Sequence, residues 1–155
     1  MDLARNLKVD SVSRLFPTAP HQIASTQPVA DAIDAMRRHG VGCLLVCDNG
    51  DLVGILTERD VMRRILALQR PMSTTVADCM TPQPATVHAK ESIRNAIERM
   101  EQGGYRHLPV LDEQQKLVGV LSIKRIVHYL VEHFPATIYN QPPDPNLIPQ
   151  QREGA

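Results

Sequence analysis

The sequence predicts an α+β fold built from two tandem β-α-β-β-α repeats, with two small sheets packed face to face and helices outside. Three observations predict it. The stretch Gly54-Ile55-Leu56-Thr57-Glu58-Arg59-Asp60 returns as Gly119-Val120-Leu121-Ser122-Ile123-Lys124-Arg125. The same order of helix-period and strand-period segments surrounds both copies, which marks an internal repeat. Each half is too small to bury its own sheet, so the two sheets must close on each other.

Residues 1–11 read as a short polar lead-in, 12–70 as the first repeat, 71–134 as the second and 135–155 as a Pro-rich tail. From Val12 the chain passes Phe16-Pro17 into an extended piece at His21–Ala24. Thr26 caps a helix with Pro28 just inside it. That helix, 29–39, buries Val29, Ala32, Ile33 and Met36 at helical spacing, and Gly40 stops it. A strand over 42–47, the turn Asp48-Asn49-Gly50 and a strand over 52–56 form a hairpin. A second helix starts behind Thr57 and carries Val61, Met62, Ile65 and Leu66.

After a linker at 69–75 the order returns. Cys79-Met80-Thr81-Pro82 leads to an extended Ala85-Thr86-Val87. Lys90-Glu91-Ser92 opens a helix that buries Ile93, Ile97 and Met100 and ends at Gly103-Gly104. Strands over 106–111 and 117–121 flank a turn at 112–114, and a last helix runs from Ser122 to about Glu132. The halves superpose at an offset of 64, Val29 on Ile93 and Met36 on Met100, and of 65 at Gly54 on Gly119. The tail carries Pro142-Pro143, Pro145 and Pro149, which exclude a long helix. Its Ile138, Tyr139, Leu147 and Ile148 either dock on a partner or belong to a loose terminus.

Composition narrows the function classes. The chain of 155 residues is 43% hydrophobic and 22% charged, an ordinary globular mix. Aromatics make up 3% and Trp is missing, so the core is aliphatic. The formal net charge is zero, which offers no basic footprint for nucleic acid or an anionic membrane. No apolar run approaches the ~20 residues that span a bilayer. The start, Met1-Asp2-Leu3-Ala4-Arg5, lacks the apolar stretch of a secretory signal, so a cytoplasmic location is expected. Cys43, Cys47 and Cys79 fit that compartment and read as small core hydrophobes. His21, His39, His88, His128 and His133 show no metal spacing.

The two motif copies, together with Gly40-Val41-Gly42, Gly104-Tyr105-Arg106, Leu108-Pro109-Val110 and Cys79-Met80-Thr81-Pro82, resemble the cystathionine β-synthase (CBS) domain pair. The resemblance covers roughly residues 12–131, and the chain is similar to the stand-alone bacterial pairs. It implies a regulatory binding module, not an enzyme. Such pairs commonly hold adenosine-containing ligands in clefts between the repeats and dimerise into a flat disc.

The resemblance maps the ribose-binding Thr and Asp onto Thr57 and Asp60. A carboxylate that accepts from both vicinal hydroxyls makes a selective, charge-assisted pair. The same Thr-x-x-Asp is also a helix capping box, and the two roles can share the residues. Arg125 cannot accept from a ribose, so one nucleotide per chain is expected. Arg106 and His107 open a strand where the family often places cations against phosphate. Lys124 and Arg125 either add charge there or are ordinary solvated groups. The composite reading puts ribose on Asp60, phosphate on Arg106, His107 and Lys124, and adenine in a slot of Ile55, Ala85, Thr86 and Val87.

The expected ligand is AMP, ADP or ATP, or a relative such as NAD or S-adenosylmethionine, and no further cofactor is expected. The expected partners are a second copy of the chain, the adenine nucleotide and an unknown protein. The alternative reading is a protein-interaction and dimerisation module that works without nucleotide. An enzyme is disfavoured, since no Ser-His-Asp arrangement, metal cluster or Gly-rich phosphate loop can be placed.

Overall fold

The computed structural model describes residues 2–135. The tail and its apolar residues therefore lie, from position 136 onward, outside the described residues.

Helix α1 spans Leu3–Val9 and is capped by Asp2, whose carboxylate accepts from the Ala4 amide at 3.0 Å. The lead-in was expected to be merely polar, but Leu3 and Leu7 recur one turn apart and pack on the second repeat's core. A 3-10 turn at Val12–Leu15 follows, then strand β1 at Gln22–Ile23. Helix α2 spans Val29–His39 and ends on Gly40 in the left-handed region, φ 63°. Its expected cap, Thr26, is not used. Pro28 holds the N-cap position, and the first free amides find distant acceptors: Val29 donates to the Thr74 carbonyl at 2.8 Å and Ala30 to that of Met72 at 3.1 Å. Backbone from the linker does what a local hydroxyl was expected to do.

Strands β2 (Cys43–Asp48) and β3 (Asp51–Thr57) form the expected hairpin, with Asn49 and Gly50 both at positive φ. Helix α3, Glu58–Val61, continues as a π-helical turn over Met62–Leu66. Helix α4, Val76–Cys79, is a single turn. Strands β4 (Thr81–Pro82) and β5 (Val87–His88) follow. Helix α5, Ile93–Gly103, is capped by the Ser92 hydroxyl. Strands β6 (His107–Leu111) and β7 (Leu117–Ser122) and helix α6 (Ile123–His133) complete the second repeat.

The first sheet has the order β1-β2-β3-β4 and the second β5-β6-β7. In each, the short first strand runs parallel to the hairpin's first strand. The repeats exchange their leading segments. Strand β4, in the leading segment of the second repeat, pairs with β3 of the first. Thr18, in the leading segment of the first repeat, pairs with Val120 of the second through amide-to-carbonyl bonds of 3.0 and 2.9 Å. The cores follow the exchange. Val76 and Cys79 are buried with Val29, Met36, Leu44 and Leu56, while Val12 and Leu15 are buried with Ile93, Leu108 and Leu121. A third cluster, Cys43, Leu45, Ile55 and Val120, lies between the two sheets, which thus pack face to face. Burial, and then the nearby Glu58, push the Cys43 thiol up to about 11, so it is an inert hydrophobe there.

The exchange explains the glycine in both motif copies. A Cβ on Gly54 would lie 2.4 Å from Met80 Sδ and 3.1 Å from the Thr81 carbonyl oxygen. A Cβ on Gly119 would lie 3.0 Å from Pro17 Cβ and 3.1 Å from the Thr18 carbonyl oxygen. Each glycine is the bare spot on which the other repeat's segment lies. The Met80 thioether can swing aside, whereas a proline ring cannot. Gly119→Ala is therefore expected to cost about 1–3 kcal/mol in urea unfolding and Gly54→Ala measurably less. Equal costs, or the reverse order, would contradict this account.

Candidate functional site

The sequence-selected site begins where β3 turns into α3. Thr57 is the N-cap, and its hydroxyl accepts from the Asp60 amide at 3.2 Å. Asp60 Oδ2 accepts in return from the Thr57 amide and hydroxyl, each at 3.0 Å. The capping box is therefore formed, and it fixes the carboxylate's direction. The other oxygen, Oδ1, accepts from the Thr81 hydroxyl at 3.3 Å and lies 3.9 Å from Arg64 Nε. A carboxylate has about four acceptor positions, so Oδ1 keeps room for one more donor.

Arg64 and Thr81 are site residues that the sequence reading missed. Arg64 sits one turn after Asp60 on its helix and also donates to the carbonyls of Cys79 and Met80. It thereby ties the crossing segment to the helix that carries the carboxylate. The i,i+4 spacing of Asp60 and Arg64 was a usable signal. Thr81 reaches Asp60 only because β4 pairs with β3, Ile55 opposite Thr81, and no local spacing encodes that.

The predicted cations form a second group. His107 starts β6, and burial pushes its imidazole below its ordinary value; Lys124 and Arg106 push the same way and Glu58 opposes them. Glu58 is the acidic neighbour that the sequence reading overlooked. A Cβ on Gly42 would lie 3.4 Å from Glu58 Oε2 and 4.0 Å from His107 Nε2, so the two side chains converge on that glycine. Glu58 and Asp60 are two residues apart on one helical turn, and such positions point to different sides. Thus Thr57, Asp60, Thr81 and Arg64 come together on one side. Arg106, Lys124 and Glu58 act on His107, and among the described hydrogen bonds and ion pairs no residue joins Asp60 to His107. Arg125 does not join these cations; it lines a groove with Phe16 and Tyr129.

The expected adenine slot is divided. Val87 is fully buried in the second core, with Ala85 packed beside it, whereas Ile55 lies between the sheets. The Thr86 carbonyl is occupied by Arg99 at 2.6 Å. Val87 thus packs as core and has no free face for a base. Among the described residues no group of three or more His, Cys, Asp or Glu is placed to hold a metal, and no helix is long and apolar enough to cross a membrane.

The CBS-domain family model matches this chain twice, over residues 12–67 and 76–132. The chain is 30% identical over 115 residues to the CBS domain-containing protein YhcV of Bacillus subtilis, covering 74% of this chain and 81% of YhcV. It is 38% identical over 105 residues to the meiotically up-regulated gene 70 protein of Schizosaccharomyces pombe, covering 67% of this chain but only 14% of that longer protein. The solved structure of CBSX2 in complex with AMP is 25% identical, with a TM-score of 0.65, and covers 79% of this chain and 96% of that one.

Because burial keeps His107 neutral in the folded state, its contribution to stability is complete above the ordinary imidazole range. It is lost as pH falls through the lowered value. Chemical denaturation at pH 7 and pH 5 should therefore show a larger loss for the natural protein than for His107→Gln. Thr57→Ala should cost about 1 kcal/mol through the lost cap, and Thr57→Ser much less.

Proposed function

As the chain belongs to the CBS-domain family and carries two of its repeats in tandem, we propose that it is a regulatory sensor that binds an adenosine-containing nucleotide at the α3 helix start. The observation that carries this reading is the Asp60 carboxylate, oriented by the capping box and left with an acceptor position on Oδ1. A ribose hydroxyl fits that position, and the capping bonds on Oδ2 survive it. CBSX2, a relative by fold and sequence, is described in complex with AMP, which supports an adenine nucleotide as the first ligand to test.

The phosphate then extends toward Arg106, His107 and Lys124. Glu58 moderates their charge. Lowering the pH through the depressed value of His107, below the ordinary imidazole range, adds a cation there, so affinity for the phosphate rises in acid. The work proposed for this cytoplasmic module is differential binding: ligand tightens the contact between the repeats, and a downstream protein reads the change.

A second reading rests on the surface of the π-helical turn that follows α3 and of α6. Met62 and Leu66 are 62% and 54% exposed, and Ile123 and Val127 on α6 are 44% and 53% exposed. Exposed apolar groups of this kind mark association sites. A homodimer through these helices follows, since two-fold dimers dominate small assemblies.

In a thermal-shift titration AMP should raise the melting temperature, by about 2.7 kcal/mol of added stability at a hundredfold excess over its dissociation constant. Asp60→Ala, compared with its own ligand-free baseline, should lose most of that rise, and Arg125→Ala should keep it. An undiminished rise in Asp60→Ala would refute the site. Leu66→Glu should convert a dimer to a monomer in sedimentation equilibrium; a natural chain that sediments as a monomer rejects the dimer.

A further inference from the structure

Helix α1, the 3-10 turn and α6 enclose two adjoining grooves, of about 350 and 300 Å³, which share Arg14, Tyr129 and His133. Volumes of roughly 300 Å³ and more are those of small-molecule sites. Much of the wall lies outside the matched repeats, since α1 precedes residue 12 and His133 follows residue 132.

The charges in the walls do not cancel. Asp10 is engaged: it pairs with Arg14 at 3.0 Å and accepts the Tyr129 hydroxyl. Glu132 faces His128 at 3.1 Å. Arg5 belongs to the first groove and Arg125 to the second. Among the described residues neither is in an ion pair. The walls thus carry three guanidinium groups, Arg5, Arg14 and Arg125, against two carboxylates, Asp10 and Glu132, and of the three only Arg14 is in an ion pair.

The second groove also carries an open aromatic face. Phe16 is 77% exposed and is held at φ 48°, a left-handed conformation unusual for a bulky residue. Strain of this kind persists only where the surroundings impose it. Two positions differ in charge from the first repeat. Arg125 stands where the first repeat has Asp60, and Tyr129 stands where it has Arg64. A carboxylate held by a cation has become a cation beside a phenol.

We propose that this double groove is an anion site, separate from the one at Asp60, that takes a small organic phosphate. Arg5 and Arg125 grip the phosphoryl oxygens with their planar forks. The Phe16 ring lies against the ligand's apolar or aromatic body. Inorganic phosphate or pyrophosphate shares the first half of this chemistry and lacks the second. The inference stands independently of the nucleotide reading.

The test is a calorimetric titration of the full chain with inorganic pyrophosphate, followed in parallel by amide NMR. The natural protein should bind, more weakly as salt is added, with shifts concentrated at Arg5, Asn6, Arg125 and His133. The double variant Arg5→Ala/Arg125→Ala, checked for folding by circular dichroism, should bind at least about tenfold more weakly. It should keep its response to AMP, while Asp60→Ala should bind pyrophosphate normally. Phenyl phosphate should bind more tightly than inorganic phosphate, and Phe16→Ala should abolish the difference. The proposal is overturned if pyrophosphate does not bind, if the double variant binds like the natural chain, or if the shifts fall at Arg106 and Lys124.

Discussion

A three-stranded sheet that folded alone would leave the outer side of its last strand unpaired, a row of free amides and carbonyls. In this molecule each repeat closes that edge of the other. Strand β4 lies along β3, and Thr18 lies along β7. The closure needs a bare backbone at one position per sheet, which Gly54 and Gly119 supply. The same crossing delivers Val76 and Cys79 to one core and Val12 and Leu15 to the other. Neither core is complete without a segment from the neighbouring repeat, so the pair is one cooperative unit rather than two small domains on a linker.

The candidate site is a by-product of that exchange. The crossing segment brings Thr81 to the Asp60 carboxylate, and Arg64 fastens the segment's carbonyls to the helix beneath. A ligand that bonds Asp60 therefore touches the seam between the repeats and can bias how firmly it closes. On the other side of the same helical turn, Glu58 meets His107 across the inter-repeat contact. Helix α3 thus carries two acidic groups with different work: one fastens the cap, and the other faces cations.

The divergence of the two copies has a structural counterpart. In the first repeat the helix start holds a carboxylate within a network of hydroxyls and one arginine. In the second, the helix start holds Arg125, and one turn later Tyr129 donates to Asp10 of the N-terminal segment. Duplication kept the fold's hydrophobic framework and left the polar groups at the helix starts free to change sign.

What the sequence determined by itself was local. Hydrophobic period, capping hydroxyls and turn residues are short-range signals, so the hairpin at Asn49-Gly50, the ends of α2 and α5 at Gly40 and Gly104, and the Thr57–Asp60 box could all be read from adjacent residues. The repeat and its likeness to CBS pairs were readable for the same reason. Only the tertiary structure decided which half each leading segment joins, because that choice is made by long-range pairing and by the space over a glycine. It likewise decided that Pro28, not Thr26, begins α2, that Val87 is core, and that Arg64, Thr81 and Glu58 stand beside the chosen residues. Those contacts join residues far apart in the chain, and no periodicity spans such a distance.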